Sequence, residues 1–135
     1  LYRNTWGDGL FLVIGDAAIA ARCALALQAA LEALDLPAHG LPDTLALRLG
    51  GHFGPVFETT DPVQGVTNYF GAHVSRTARI EPVTPPGEVY VTEQFAARLA
   101  LEPAGFGCDY VGQVPAAQGY GTMRMYHLHA PPEEQ

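Results

Sequence analysis

Apolar and polar positions along this chain fall into short blocks whose period switches between two and three-to-four residues. "LYRNT" and "LFLVI" flank Trp6-Gly7-Asp8-Gly9, a pattern that predicts a β-hairpin with Asp8 at its tip. Asp16 suits a helix N-cap, and Ala20, Ala24, Leu27, Leu31 and Leu34 recur at heptad-like spacing. An amphipathic helix with an alanine-rich face is therefore expected from Asp16 to about Leu34, ended by Pro37 and Gly40. In "LALRLGGHFGPVFET", Leu45, Leu47 and Leu49 alternate against Arg48, which predicts a strand, a glycine-rich bend and a second strand through Val56 and Phe57. "TTDPVQGVTN" follows as a loop. In "YFGAHVSRTARIEPV", Val74, Ala78 and Ile80 form one side of a short helix, Arg76 and Arg79 lie elsewhere around it, and Pro82 and "TPPG" stop it. "EVYVT" predicts a strand, "EQFAARLAL" a helix, and "FGCDYVGQ" and "MRMYHLH" two strands joined by "PAAQGYG", with Met123 and Met125 as edge-strand packing.

The resulting order, ββ, α, ββ, α, β, α, ββ, favours an α+β (α/β sandwich) architecture close to the ferredoxin-like class, a mostly antiparallel sheet covered by helices. The length of 135 residues, with 48% hydrophobic and 16% charged, suits one compact domain, taken as residues 1–130 with a tail over 131–135. The chain opens on Leu1, inside an expected strand, and is expected to be a piece of a longer protein.

A formal net charge of -7 leaves no basic surface for a phosphate backbone, so nucleic acid is not an expected partner and a polyanionic substrate would need metal ions. No apolar run reaches the length of a membrane span, and no cleavable signal is visible. Cys23 and Cys108 lack the spacing of a disulfide framework or zinc site, so a cytoplasmic setting is expected. His127 and His129 alternate on one strand without an evident third ligand, His52 reads as a satisfied core imidazole, and His39 and His73 as loop and surface residues. From its glycine frame alone, Asp8 is either a turn residue or a metal ligand.

Four stretches in order, "NTWGDGLFLVI", "LRLGGHFGPV", "NYFGAHVSRTARIE" and "PPGEVYVTEQF", together resemble the class III nucleotidyl cyclases, the adenylate and guanylate cyclase family, over nearly the whole chain. The resemblance implies a cyclase fold and a head-to-tail homodimer with active sites at the subunit interface. It also implies conversion of a nucleoside triphosphate to a 3',5'-cyclic nucleotide and pyrophosphate in intracellular signalling, assisted by two Mg2+ or Mn2+ ions. In such enzymes two aspartates hold the metals. Asp8 matches the second, and the first would lie upstream of Leu1. Arg79 matches the arginine that stabilises charge on the α-phosphate, four residues after a position usually held by asparagine and here by Ser75.

Three departures from the family pattern stand beside these matches. The two base-selecting positions, lysine and aspartate for adenine or glutamate and a small polar residue for guanine, read Asn4 and Asn68. Neither amide selects a purine by charge. Serine replaces asparagine at position 75, and the lysine that reaches the β- and γ-phosphates falls near Gln118. These departures motivate an alternative: a catalytically degenerate pseudocyclase acting as a nucleotide-binding or dimerising regulatory domain.

Overall fold

The computed structural model describes residues 2–6, 9–60, 62–65, 67–102, 105–119 and 121–130, with the backbone alone at 2–6 and 118. In chain order the elements are β1 (Tyr2–Trp6), β2 (Gly9–Val13), α1 (Ala17–Glu32), β3 (Leu49–Gly51), β4 (Phe57–Thr60), β5 (Thr67–Phe70), α2 (Ala72–Thr77), β6 (Val89–Thr92), α3 (Glu93–Ala100), β7 (Gly107–Pro115) and β8 (Thr122–His129). Single 3₁₀ turns lie at Pro37–His39, Glu81–Val83 and Ala117–Gly119. The main sheet has the order β3-β6-β8-β7: β3 runs parallel to β6, and the other two pairings are antiparallel. β1 with β2, and β4 with β5, form separate two-stranded antiparallel ladders. The α+β class and the mostly antiparallel sheet agree with the sequence.

All four residues of β6 are buried because both faces of this strand are covered. Val89 and Val91 pack with Ala17, Ala18 and Ala21 of α1, Phe95 and Leu99 of α3, and Leu128 of β8. Tyr90 faces the opposite cluster, with Ile80, Ala116, Met123 and Met125. Met123 and Met125 thus belong to the core of an interior strand, contrary to the edge position the sequence suggested.

Helix α1 begins as expected, with Asp16 Oδ1 accepting from the Ile19 N–H at 3.0 Å. Its inward face is displaced from the leucine stripe. The buried residues are Ala17, Ala18, Ala21 and Gln28, while Leu34 lies beyond the helix and is exposed. Gln28 is tolerated inside because its amide donates to the carbonyls of Leu47 at 3.1 Å and Glu88 at 3.3 Å, just ahead of β3 and β6.

Two further differences have packing causes. The expected bend at Gly50-Gly51 is the strand β3 itself, and Leu45 and Leu47 precede it. A Cβ on Gly50 would stand 2.6 Å from Ile80 Cγ2, and one on Gly51 3.1 Å from Val91 Cγ1, so only a strand without side chains fits here. The stretch expected as one loop contains the end of β4 and the start of β5, where Thr59 pairs with Asn68 and Thr60 with Thr67. Threonine's branched Cβ favours that extended pairing.

Candidate active site

Strand β5 passes into α2 through Gly71, whose φ of 130° favours glycine and where a Cβ would meet Phe57 Cδ2 at 3.2 Å. α2 is short. Ser75 N–H donates to the Gly71 carbonyl at 3.2 Å and Ala78 N–H to Val74 at 3.2 Å, after which the coil tightens, with Arg79 N–H donating to Arg76 at 3.0 Å and Ile80 N–H to Thr77 at 3.2 Å. Ile80 is fully buried, a contribution of about 2–3 kcal/mol, and anchors this end of the helix. Ser75 is exposed and Arg79 half-buried. The backbone N–H of Ala117 donates to the Arg79 carbonyl at 3.3 Å, bringing the turn that contains Gln118 to the same place.

Ser75, Arg79 and the 117–119 backbone are therefore gathered around one short helix. Asn68 is half-buried on β5, the strand that feeds this helix. Asn4 is on a different ladder, its backbone opposite Phe11, and its side chain lies outside the described residues. Asp8 also lies outside them, between Trp6 and Gly9, the last pair of the β1–β2 ladder. Its carboxylate is a hard oxygen donor of the type magnesium and manganese prefer, and one such donor does not make a site by itself. Among the described residues no group of three or more His, Cys, Asp or Glu is disposed to hold a metal ion.

The sequence did not disclose a hydrogen-bonded chain beside α2. His52 Nδ1 lies 2.7 Å from Thr92 Oγ1, and His52 Nε2 lies 2.7 Å from His73 Nδ1. The ring centroids are 5.0 Å apart and the planes 20° apart, so the imidazoles meet edge to edge, nearly coplanar. His73 is half-buried, not the free surface residue its context suggested, whereas His52 is satisfied on both nitrogens as expected. Burial, with His73 and Arg76 nearby, pulls the His52 pKa down to about 4, so the ring is neutral at physiological pH. The available signal was that each histidine stands among glycines, "GGHFG" and "GAHVS". A Cβ on Gly54 would collide with the His73 ring.

Elsewhere, Arg48 Nε meets Glu81 Oε1 at 3.2 Å in an exposed ion pair. His129 Nε2 meets Asp109 Oδ2 at 3.1 Å on the β7–β8 pair. Burial and Asp109 push the Cys108 thiol upward, which keeps it protonated and unreactive. A polar cleft of about 280 Å³ is lined by Arg76, Gln94, Gln113 and Arg124, among others, and by neither Ser75 nor Arg79. No helix among the described residues is long and apolar enough to cross a membrane.

Over residues 4–130 the sequence matches the adenylate and guanylate cyclase catalytic domain. The chain belongs to this family. The cyclase domain is similar in structure to an adenylate cyclase from Trypanosoma brucei in its monomeric state, with a TM-score of 0.72 and 19% identity over 98% of this chain and 71% of that one. It is also similar to the guanylate cyclase domain of RhGC from Catenaria anguillulae in complex with GTP (TM-score 0.71, 18% identity, 97% and 73% coverage). A third likeness is to an adenylate/guanylate cyclase/hydrolase from Silicibacter pomeroyi (TM-score 0.60, 20% identity, 97% and 72% coverage). A further Trypanosoma brucei adenylate cyclase structure is matched over only 37% of its length. At these identities the structural likeness speaks to the fold, and the family match to the cyclase domain as a class. No curated protein matches in sequence.

Proposed function

We propose that this cyclase domain converts a nucleoside triphosphate to a 3',5'-cyclic nucleotide and pyrophosphate, as part of cytoplasmic signalling, in a head-to-tail homodimer. The observation that carries this reading is the family match across residues 4–130. The GTP bound to the Catenaria domain supports a nucleoside triphosphate as substrate.

In this reading the ribose 3'-hydroxyl gives up its proton to water, its oxygen bonds to the α-phosphorus, and the bond from that phosphorus to the β-phosphate bridge breaks, so that pyrophosphate leaves. Arg79 presents a delocalised cation to the charge growing on the α-phosphate, from a backbone held by buried Ile80 and by the Ala117 hydrogen bond. Ser75, one helical turn earlier, donates a single hydrogen bond to ribose or phosphate, where asparagine would reach further. Asn68 and Asn4 contact the base with amides that donate and accept, so base choice rests on hydrogen-bond pattern and shape. Asp8 would hold a divalent magnesium or manganese ion. Such ions, when bound, make the 3'-hydroxyl more acidic and neutralise the triphosphate. Residues 1–130 form the working domain and 131–135 a tail.

The test is incubation of the full-length protein with each of the four ribonucleoside triphosphates and manganese. Cyclic product from at least one, lost in Asp8→Ala while the melting temperature is kept, supports the reading. No product from any of the four would sink it and favour the pseudocyclase alternative, to which Ser75 and Gln118 already lean.

A further inference from the structure

Three hydrogen bonds run in series through the base of α2. Phe95 N–H donates to Thr92 Oγ1 at 3.4 Å at the N-cap of α3. Thr92 Oγ1 and His52 Nδ1 are 2.7 Å apart, as are His52 Nε2 and His73 Nδ1. In one direction Thr92 O–H donates to His52 Nδ1 and His52 Nε2–H donates to His73 Nδ1; in the other, His73 Nδ1–H donates to His52 Nε2 and His52 Nδ1–H to Thr92 Oγ1, whose own hydrogen then lies outside the chain. His73 is bound into α2 a second time, because its carbonyl accepts from Thr77 Oγ1 at 2.8 Å.

The chain therefore links α2 to the loop after β3, and through Thr92 to the junction of the central strand β6 with α3. This matters because α2 is only Ala72–Thr77 and begins at Gly71 without a side-chain cap. Its far end is anchored by Ile80, and the loop on which His52 stands is the one whose Gly54 leaves room for the His73 ring. A six-residue helix has little stability of its own, so its position is set by such tertiary contacts. Ser75 lies two residues after His73, and Arg79 six.

We propose that His52 and His73 are positioning residues for the cyclisation: their hydrogen bond, anchored on Thr92, holds the N-terminal end of α2 so that Ser75 and Arg79 meet the reacting phosphate. This rests on the cyclase reading above. Neither histidine touches the substrate. In this link one imidazole donates and the other accepts.

The experiment compares His73→Ala with His73→Asn, whose side-chain oxygen can take the place of Nδ1 as acceptor, in the full-length protein. Two measurements are made: steady-state kinetics with the preferred triphosphate, and backbone amide exchange of α2. His73→Ala is expected to lower kcat about 10- to 100-fold with KM within about twofold, the cost of a small misplacement of catalytic groups. Exchange of the Ser75 and Ala78 amides should quicken while that of β6 amides stays unchanged, and His73→Asn should restore both readouts to within about threefold of wild type. Unaltered α2 exchange in His73→Ala overturns the inference alone. So does quickened exchange with undiminished kcat, or an asparagine variant as slow as the alanine one. A wild-type protein without turnover overturns the cyclase reading and the inference with it.

Discussion

Ala117 donates its backbone N–H to the carbonyl oxygen of Arg79 at 3.3 Å, joining the turn Ala117–Gly119 to the tightened coil just past α2 that carries the arginine. The side chain at position 118 therefore starts from a backbone tethered beside Arg79.

A cation at that position should reach the phosphates. We expect Gln118→Lys to lower KM for the triphosphate about fivefold, the worth of roughly 1 kcal/mol from one exposed charge pair, with kcat little changed. Unchanged KM in steady-state assays would remove the 117–119 turn from the substrate site.

Removing the guanidinium should act on the rate. Arg79→Ala is expected to lower kcat about 10²- to 10³-fold with KM within about threefold, as for other groups that stabilise charge developing in a transition state. Because Ile80 supplies the packing, circular dichroism should show an intact fold. A change confined to KM would assign Arg79 to ground-state binding.

Gln28 offers a test of stability away from the site. Leu47 and Glu88 each keep a second hydrogen bond, from Gly87 N–H at 2.7 Å and Leu49 N–H at 3.2 Å, so loss of the amide strips neither carbonyl completely. Gln28→Leu should therefore cost only about 1 kcal/mol by urea unfolding, and Gln28→Ala about 1–2 kcal/mol more through the cavity it leaves. A leucine variant as stable as wild type would show the two bonds to be energetically idle.

His52 gives the protein an acid-sensitive increment of stability. Its folded pKa of about 4 lies below the ordinary 6.5, so the unfolded chain takes up the proton first as pH falls. The increment is whole above pH 6.5, shrinks as pH drops toward 4 and is gone below that. Linkage puts it at about 3 kcal/mol, and solvent screening of a half-exposed ring reduces it to about 1–2 kcal/mol. Urea unfolding at pH 7.5 and pH 4.5 should show wild type losing that much more than His52→Gln. Equal losses would argue that the ring titrates normally.

Features set by neighbours in sequence were legible before the structure. Asp16 and the 3.6-residue period located α1, and the strands beginning at Val89 and Thr122 followed from their β-branched and aromatic runs. Features set by distant contacts were not. Gly50 and Gly51 look like a bend until Ile80 and Val91 are seen to occupy the space their side chains would need. Gln28 breaks an apolar stripe for the sake of two carbonyls from other segments. At the candidate site, α2 and the place of Ser75 within it were legible from the helical pattern, whereas Arg79, expected on that helix, follows it in the turns over 78–80. The His52–His73 bond was hidden, because the two rings are brought together by folding across a hairpin.

Strand β3 has a consequence for how the molecule assembles. Leu49 pairs with Val89, partners about forty residues apart, and everything from His52 through Glu88, including α2, hangs in the loop this pairing closes. The antiparallel β7–β8 ladder can zip locally, whereas the β3–β6 clasp must first pay the chain entropy of a long closure with only three residues of ladder in return. On topology alone α2 is expected to be enclosed after the β7–β8 ladder has formed, and the shortest strand of the main sheet is the latch on the loop that carries it.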